Sequence, residues 1–276
     1  MLDQFNILNQ QDNVKIFYAS DTNTWQTWVK PRGCKFIWMM CIGGGAGGGN
    51  GSAPGGSASG GSGAITKALF PANVLPDILY VQPGPGGTIA GSGNRSFVSI
   101  TPSSATIMSL VCTSGTAAAT AGTSVPVGGT GETAATVAVA GLLSLGSFTS
   151  TAGFYVGVVT YTPFTNATVV CSGQNGGTVD VSAGSSIASV DLGNGIVTPA
   201  INGGALNSGA NGDNGVFSLK PFYSLGGAGG GSGKGVPGGN GGNGAYGSGG
   251  GGGGGGSTVG GSGGKGGGGL VFIYTF

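Results

Sequence analysis

The chain has 276 residues, of which 67 are glycine, and charged residues make up 6% with a net charge of +1. This length allows one large or two ordinary domains. Proteins that bind nucleic acid concentrate Lys and Arg on one face, whereas the nine basic residues here are scattered from Lys15 to Lys265. The composition therefore excludes partners bound through charge, nucleic acid among them.

Residues 1–23 are predicted to form an N-terminal arm that contains one strand, the alternating run VKIFYAS. The residues before it include acids and amides, where a secretory signal needs a basic start and an apolar core. We therefore expect synthesis in a cytoplasm without cleavable export. The longest apolar stretches, near 36–42 and 137–145, are shorter than the ~20 residues of a membrane helix, so no membrane span is predicted.

Two glycine tracts adjoin strongly apolar strands. The strand within residues 24–42 leads directly into GGGAGGGNGSAPGGSASGGSG. Glycine also dominates residues 226–269, and the chain then closes with the β-branched and aromatic run LVFIYTF. A flexible linker would join two domains, but seven residues follow the second tract. We interpret both tracts as interior parts of a fold.

Close backbone packing would account for this amount of glycine. Glycine in regular structure costs about 0.5 to 1 kcal/mol relative to alanine, so another interaction must offset that cost. Extended helices of three residues per turn have no internal hydrogen bonds, and their peptide groups must bond to neighbouring chains. Collagen combines this geometry with abundant proline, whereas 12 prolines accompany the 67 glycines here. The composition predicts a bundle of polyglycine II-type helices within one chain.

Short strands and turns are predicted between the two tracts. Strands are expected near Ile65, at 78–82 and at 96–100, and the prolines between them exclude long helices. Further along, glycine becomes less frequent and short alternating runs recur about every ten residues, which is typical of a small β-sandwich.

We therefore predict an all-β protein with a glycine-rich β domain and an inserted domain. The glycine-rich domain comprises residues 24–102 and 221–276, and it contains strands and polyglycine II-type helices. A β-sandwich-like insertion at 103–220 interrupts it.

The flanking portions together resemble the glycine-rich domain of bacteriophage virion proteins, found in tail fibres and other appendages. The motifs that carry the resemblance are TW-x-x-W-x-K-P-x-G before GGGAGGG, then LP-D-x-L-x-V-Q-P-G-P-G-G, then S-F-V-S-I, and finally GGKGGGGLVFIYTF. The resemblance implies a β-rich core with polyglycine-type helices in a structural or host-binding part of a virion. More loosely, the chain is similar to the glycine-rich tail-fibre tip adhesins of T-even-like phages, in which loops between the helices determine receptor specificity.

Aromatic side chains are the candidate contacts with a receptor or another subunit. Aromatic rings give large contact areas at low entropic cost and stack on sugar faces. The receptor-binding candidates are Tyr155, Tyr161, Phe164, Phe222, Tyr223 and Tyr246. Trp25 and Trp28 are candidates for a subunit interface. Packing in the core is the alternative interpretation for both sets.

No catalytic residue, metal site or cofactor is predicted. The sequence has no histidine, and its eight carboxylates are scattered along the chain, so a general acid–base pair or a metal site has no obvious donors. We therefore expect that the protein is not an enzyme. If the chain hydrolysed host polysaccharide, Asp180, Asp191 and Glu132 would be the acids to test first.

The four cysteines have no metal-binding spacing. Cys34 and Cys41 are an odd number of residues apart on one predicted strand, which places them on opposite faces, so we expect no disulfide between them. Pairing of Cys112 with Cys171 stays open beside buried free thiols.

These features predict a non-enzymatic phage virion protein, a tail-fibre or appendage component that contacts a glycan or protein receptor on the host surface. Its expected partners are other virion proteins, and the resemblance implies a homo-oligomer, with a trimer favoured. One alternative is a purely architectural head-fibre, capsid-decorating or connector protein. An ice-binding protein is a remote alternative, because the sequence has no regular row of Thr or Ala at three-residue spacing.

Overall fold

The computed structural model describes residues 13–104, 109–113, 146–151, 169–170, 172–189, 197–219 and 222–276. In these residues there is no α-helix, and twelve strands form three sheets, so the prediction of an all-β protein is confirmed. A short 3-10 helix occupies Ala72–Val74. The strands are β1 Val14–Tyr18, β2 Gln26–Val29, β3 Phe36–Ile42, β4 Ile65–Pro71, β5 Ile78–Gln82, β6 Phe97–Ser99, β7 Ser109–Cys112, β8 Gly146–Thr151, β9 Val169–Val170, β10 Phe217–Leu219, β11 Phe222–Ser224 and β12 Leu270–Thr275.

The twelve strands are mostly antiparallel. Sheet A has the order β1-β12-β3-β4-β8, sheet B has β2-β5-β6-β7, and sheet C has β10-β11-β9. β12 lies between β1 and β3 and is antiparallel to both, with Val271 opposite Phe17 on one side and Cys41 on the other. The last strand of the chain thus joins its first described strand to the strand before the first glycine tract.

The main hydrophobic core lies between sheets A and B. Most of its larger side chains come from sheet A (Phe17, Ile37, Met39, Phe70, Val271, Ile273) and from sheet B (Trp28, Leu79, Val81, Val98, Leu110). Burial of a side chain of this size contributes about 1.5 to 3 kcal/mol. The two sheets therefore pack face to face around one apolar layer.

Sheet A is covered on its second face as well. Met40, Ile42 and Phe272 belong to a separate cluster, against which Phe217 and Phe222 of sheet C pack. Strands covered on both faces are apolar at successive positions instead of alternating. This accounts for the uninterrupted apolar sequences of β3 and β12.

The predicted N-terminal strand is present as β1, and both of its faces pack against hydrophobic clusters. Phe17 is buried in the core between sheets A and B, whereas Ile16 packs against the cluster on the other side of sheet A. Tyr18 is exposed and contacts Tyr246, with ring centroids 5.4 Å apart. Alternation in VKIFYAS therefore does not separate a solvent face from a core face.

The glycine tracts are extended segments that bond to one another. In segment 43–51, N–H groups three residues apart donate to the same neighbouring segment. Successive residues therefore bond to three different neighbours in turn. The acceptors lie in residues 58–64, 91–94 and 261–267, at N···O distances of 2.8 to 3.0 Å. Buried peptide groups must be paired, and these tracts achieve this through neighbouring segments.

Residues 248–256 form the centre of this arrangement, which we call the glycine lattice. The N–H groups of residues 250–255 donate to segments 43–51, 172–177 and 238–244, and the carbonyl groups of residues 248–255 accept from segments 57–63, 225–233 and 260–269. Gly249–Gly256 are all buried. A Cβ atom at Gly252 would overlap the backbone carbonyl of Ser57, and one at Gly251 would overlap that of Ala228. The uninterrupted glycine run therefore has a steric reason.

Parts of the predicted insertion belong to the same arrangement. Gly173 N–H donates to Gly60 O at 3.0 Å, and Gly204 N–H donates to Gly229 O at 2.9 Å. In addition, β7 and β8 are members of sheets B and A. The described core between two sheets is built mainly by strands outside 103–220, so an insertion that has its own sandwich stays a prediction.

Among the described residues, no helix is long and apolar enough to cross a membrane.

Candidate functional site: the distal loop surface

Five loops connect glycine segments at the end that is remote from the strands. Segments such as 43–51, which follows β3, and 225–233, which follows β11, run from the sheets towards this end. The chain then turns and continues in a neighbouring segment. The loops are 52–55, 178–182, 205–208, 234–237 and 257–259, and we call them together the distal loop surface.

Hydrogen bonds connect neighbouring loops to one another. Val179 N–H donates to the carbonyl of Pro54 at 3.2 Å, which joins the first two loops. Gly235 N–H donates to Ser257 Oγ at 2.9 Å, which joins the last two. The loops therefore form one connected surface.

A polar cluster joins the three loops in the middle. Asp180 and Asn207 both have positive φ angles, of 57°, and each donates to the other: Asp180 N–H to Asn207 Oδ1 at 2.9 Å, and Asn207 Nδ2 to Asp180 Oδ1 at 2.8 Å. Lys234 Nζ lies 2.9 Å from Asp180 Oδ1. Asp and Asn tolerate the left-handed region better than other non-glycine residues because their short polar side chains bond locally.

The cluster also has an expected pH dependence. The hydrogen bond from Lys234, followed by that from Asn207, holds the pKa of Asp180 below its usual value of 3.8. A carboxylate with a lowered folded-state pKa contributes above the unfolded-state pKa, and the contribution is lost as the pH falls through the lowered value.

We expect the NMR resonance of the Asn207 side-chain amide to move as the pH is lowered below about 4 and Asp180 becomes protonated. In Lys234→Met, which has no hydrogen-bond donor and no charge, the midpoint of this change should move to higher pH because the largest cause of the shift is removed. A midpoint that is the same in both proteins would contradict the role of Lys234.

Aliphatic side chains project from four of the five loops. Val181, Leu206, Val236 and Val259 are 76%, 47%, 42% and 61% exposed. The two charges nearest to them, on Asp180 and Lys234, are paired with each other. Contiguous exposed apolar patches mark interaction sites, and loops already held in place lose less entropy on binding. The four side chains are therefore the candidate contacts of the distal loop surface.

Two of the predicted receptor-binding aromatics, Phe222 and Tyr223, lie in sheet C. Phe222 packs edge-on against Phe217 and Phe272, with ring centroids 5.8 and 5.6 Å apart. Tyr223 packs against a small cluster that contains Leu225. Both are partly buried in sheet C, away from the distal loops, and a receptor contact by either stays a prediction. Three candidates, Tyr155, Tyr161 and Phe164, lie outside the described residues.

Tyr246 borders a cavity of about 310 Å³ near the end of β1. Its ring contacts Tyr18 and Phe217, the latter at a centroid distance of 5.1 Å. Asp21 and Lys265 also line the cavity. The position is close to the sheets and away from the distal loops, and a receptor contact by Tyr246 stays a prediction.

The two tryptophans with a predicted interface role lie on sheet B or beside it. Trp28 is 6% exposed and belongs to the main core. Trp25 is half-buried, and its ring centroid lies 6.1 Å from that of Phe97. Trp25 therefore keeps more surface for contact with another subunit than Trp28, and the interface role of both stays a prediction.

The structure describes only some of the potential acids and cysteines. Asp180 lies in the distal cluster, whereas Glu132, Asp191 and Cys171 lie outside the described residues. Neither Cys34 nor Cys41 forms a disulfide bond, and Cys41 is buried. In the described part of the chain, no group of three or more His, Cys, Asp or Glu residues could hold a metal ion.

Sequence reasoning missed the loop aliphatics and the Asp180–Asn207–Lys234 cluster. A signal for them exists, because they occupy short interruptions of glycine-rich sequence such as ALNS, KGVP and STV. No protein-family model matches the chain, and comparison with curated proteins finds no significant match.

Proposed function

We propose that the glycine segments are polyglycine II-type helices and that their lattice is a rigid support. The three-residue rotation of hydrogen-bond partners is the repeat of an extended left-handed helix with three residues per turn. Burial of the tracts and the lack of space for a Cβ atom support the same interpretation. Six neighbouring segments around residues 248–256 restrain the central tract from all sides.

The function that this geometry favours is adhesion, in a phage tail fibre or a similar virion appendage, without enzymatic activity. The observation that carries the proposal is the distal loop surface, in which interconnected loops expose aliphatic side chains at the far end of the lattice. The sheets at the opposite end are the place for attachment to other virion proteins. The resemblance to phage glycine-rich domains adds assembly as a homo-oligomer, with a trimer favoured, and the virion as its location.

A purely architectural role is the second candidate, because the same lattice would serve a head fibre, a capsid-decorating protein or a connector. It requires no contact with the host, and so the exposed loop aliphatics would have no function in it. Ice binding is less favoured, because the exposed rows at three-residue spacing carry mainly Asn, Ser and Lys.

Binding to cells distinguishes adhesion from an architectural role. We expect the fluorescently labelled full chain to bind saturably to a susceptible bacterial strain within a panel and to compete with unlabelled chain. Resistant mutants of that strain that lack the surface receptor should not bind it. If no strain in a panel that includes the phage host binds the chain, while labelled antibody locates it on the head of the particle, adhesion is ruled out.

A further inference from the structure

The rim of the glycine lattice carries exposed asparagines at three-residue spacing. Asn211 and Asn214 lie in segment 209–215, and Asn240 and Asn243 lie in the adjacent segment 238–244. All four are exposed. In an extended helix with three residues per turn, positions three apart share a face about 9 Å apart. The four side chains therefore form two rows on one outer face.

The first pair of side chains accepts hydrogen bonds from the next segment. Asn240 N–H donates to Asn211 Oδ1, and Asn243 N–H donates to Asn214 Oδ1, both at 2.8 Å. The reverse bonds come from the backbone, because Gly212 N–H donates to the carbonyl of Asn240 at 2.8 Å. Side chain and backbone together complete this contact between segments.

The second pair repeats the pattern one segment further. Ser262 N–H donates to Asn240 Oδ1, and Lys265 N–H donates to Asn243 Oδ1, both at 2.8 Å. Neither contact follows from proximity in sequence, since the partners are 22 residues apart. The same device therefore operates across three consecutive segments of the rim.

The Asn side chains at the rim take the role that backbone carbonyls have at the lattice centre. At the centre, Gly252 N–H donates to the backbone carbonyl of Gln174 at 2.8 Å. At the rim, the corresponding N–H groups point outwards, and the oxygen of an Asn side chain takes the place of a carbonyl from a further segment. Elsewhere on the rim, Ser186 Oγ accepts from Gly203 N–H at 2.8 Å in the same manner.

We propose that the asparagine face is a sealed lattice edge that prevents a glycine segment from a second copy of this chain from adding to the lattice. Rows of unpaired peptide groups are templates for pairing with another chain, and proteins protect such edges. The low charge of this protein, 6% of residues, leaves little electrostatic repulsion to prevent such pairing. The carboxamide oxygens accept hydrogen bonds from the N–H groups at the rim, so that a segment of a second copy cannot bond to them.

The test removes the acceptors and measures self-association of the full chain. In Asn211→Ala/Asn214→Ala and in Asn240→Ala/Asn243→Ala, we expect the mean mass by light scattering to rise about twofold or more with concentration. The parent should keep one mass over the same range. The amides of residues 240 and 243, or of 262 and 265, should exchange faster in the respective variant, which verifies that the intended N–H groups have been uncovered.

Two controls separate sealing from a general effect on folding. Asn240→Ser/Asn243→Ser keeps an uncharged accepting oxygen, of the kind that Ser186 supplies to Gly203 N–H, and should retain the mass of the parent. Asn94→Ala removes an exposed asparagine of the lattice that caps no N–H group in the described structure, and it should also behave as the parent. Should the alanine variants keep the parent mass while their rim amides exchange faster, the proposal is overturned. If the alanine pairs do not fold, single Asn240→Ala and Asn243→Ala variants are measured in the same way.

Discussion

Gly252→Ala should destabilise the protein by about 3 kcal/mol, because a side chain inserted into a closely packed interior forces the surrounding backbone to move. The new Cβ atom would overlap the backbone carbonyl of Ser57, and its two nearest neighbours in space are backbone atoms that cannot rotate away. Movement of residues 57–63 would also strain their bonds to the central tract. The shift in the midpoint of denaturant unfolding measures this effect.

Gly55→Ala is the matched control, since it makes the same chemical change in a loop. Its Cβ atom would lie 3.3 Å from Ser52 Oγ, a side-chain atom that can rotate away. We expect a change within about 0.5 kcal/mol, as for most substitutions outside the core. Equal effects at the two positions would show that residues 248–256 are not held in a packed lattice.

Replacement of the four loop aliphatics should weaken binding to susceptible cells by at least about tenfold, which corresponds to about 1.4 kcal/mol. The variant combines Val181→Ser, Leu206→Ser, Val236→Ser and Val259→Ser. Full burial of a Val or Leu side chain contributes about 1.5 to 3 kcal/mol, so the loss of four side chains that become partly buried on binding is enough for this change. Because all four side chains are exposed, their loss should leave the unfolding midpoint almost unchanged. Equilibrium binding of the labelled chain to cells measures the effect.

Val29→Ser/Ile78→Ser is the control for this prediction. These residues are 64% and 46% exposed and lie opposite each other in β2 and β5 of sheet B. We expect this variant to bind cells as the parent does. Unchanged binding by the loop variant would exclude the distal loop surface as the receptor contact and would favour an architectural role.

Sequence reasoning predicted strands well where composition left few alternatives. The apolar runs at 36–42 and 270–275 could be recognised because β-branched and aromatic residues adjoin glycine. Proline spacing located β5 and excluded long helices before it. The site was less predictable, since its aliphatic residues look ordinary in sequence. Aromatic candidates such as Phe222 drew attention because of their size, but the structure places that ring against Phe217 and Phe272.

By itself, the sequence determined that this chain is all-β and that its glycine tracts adjoin strands, because these properties follow from side-chain shape and local backbone preference. Only the tertiary structure decided that β12 lies between β1 and β3, that 248–256 is the central tract and that Asn240 caps the N–H of Ser262. The physical reason is that the glycine-rich segments are nearly alike in local sequence. Which segments become neighbours depends on the path of the whole chain, and only those contacts distinguish a buried glycine from one at the rim.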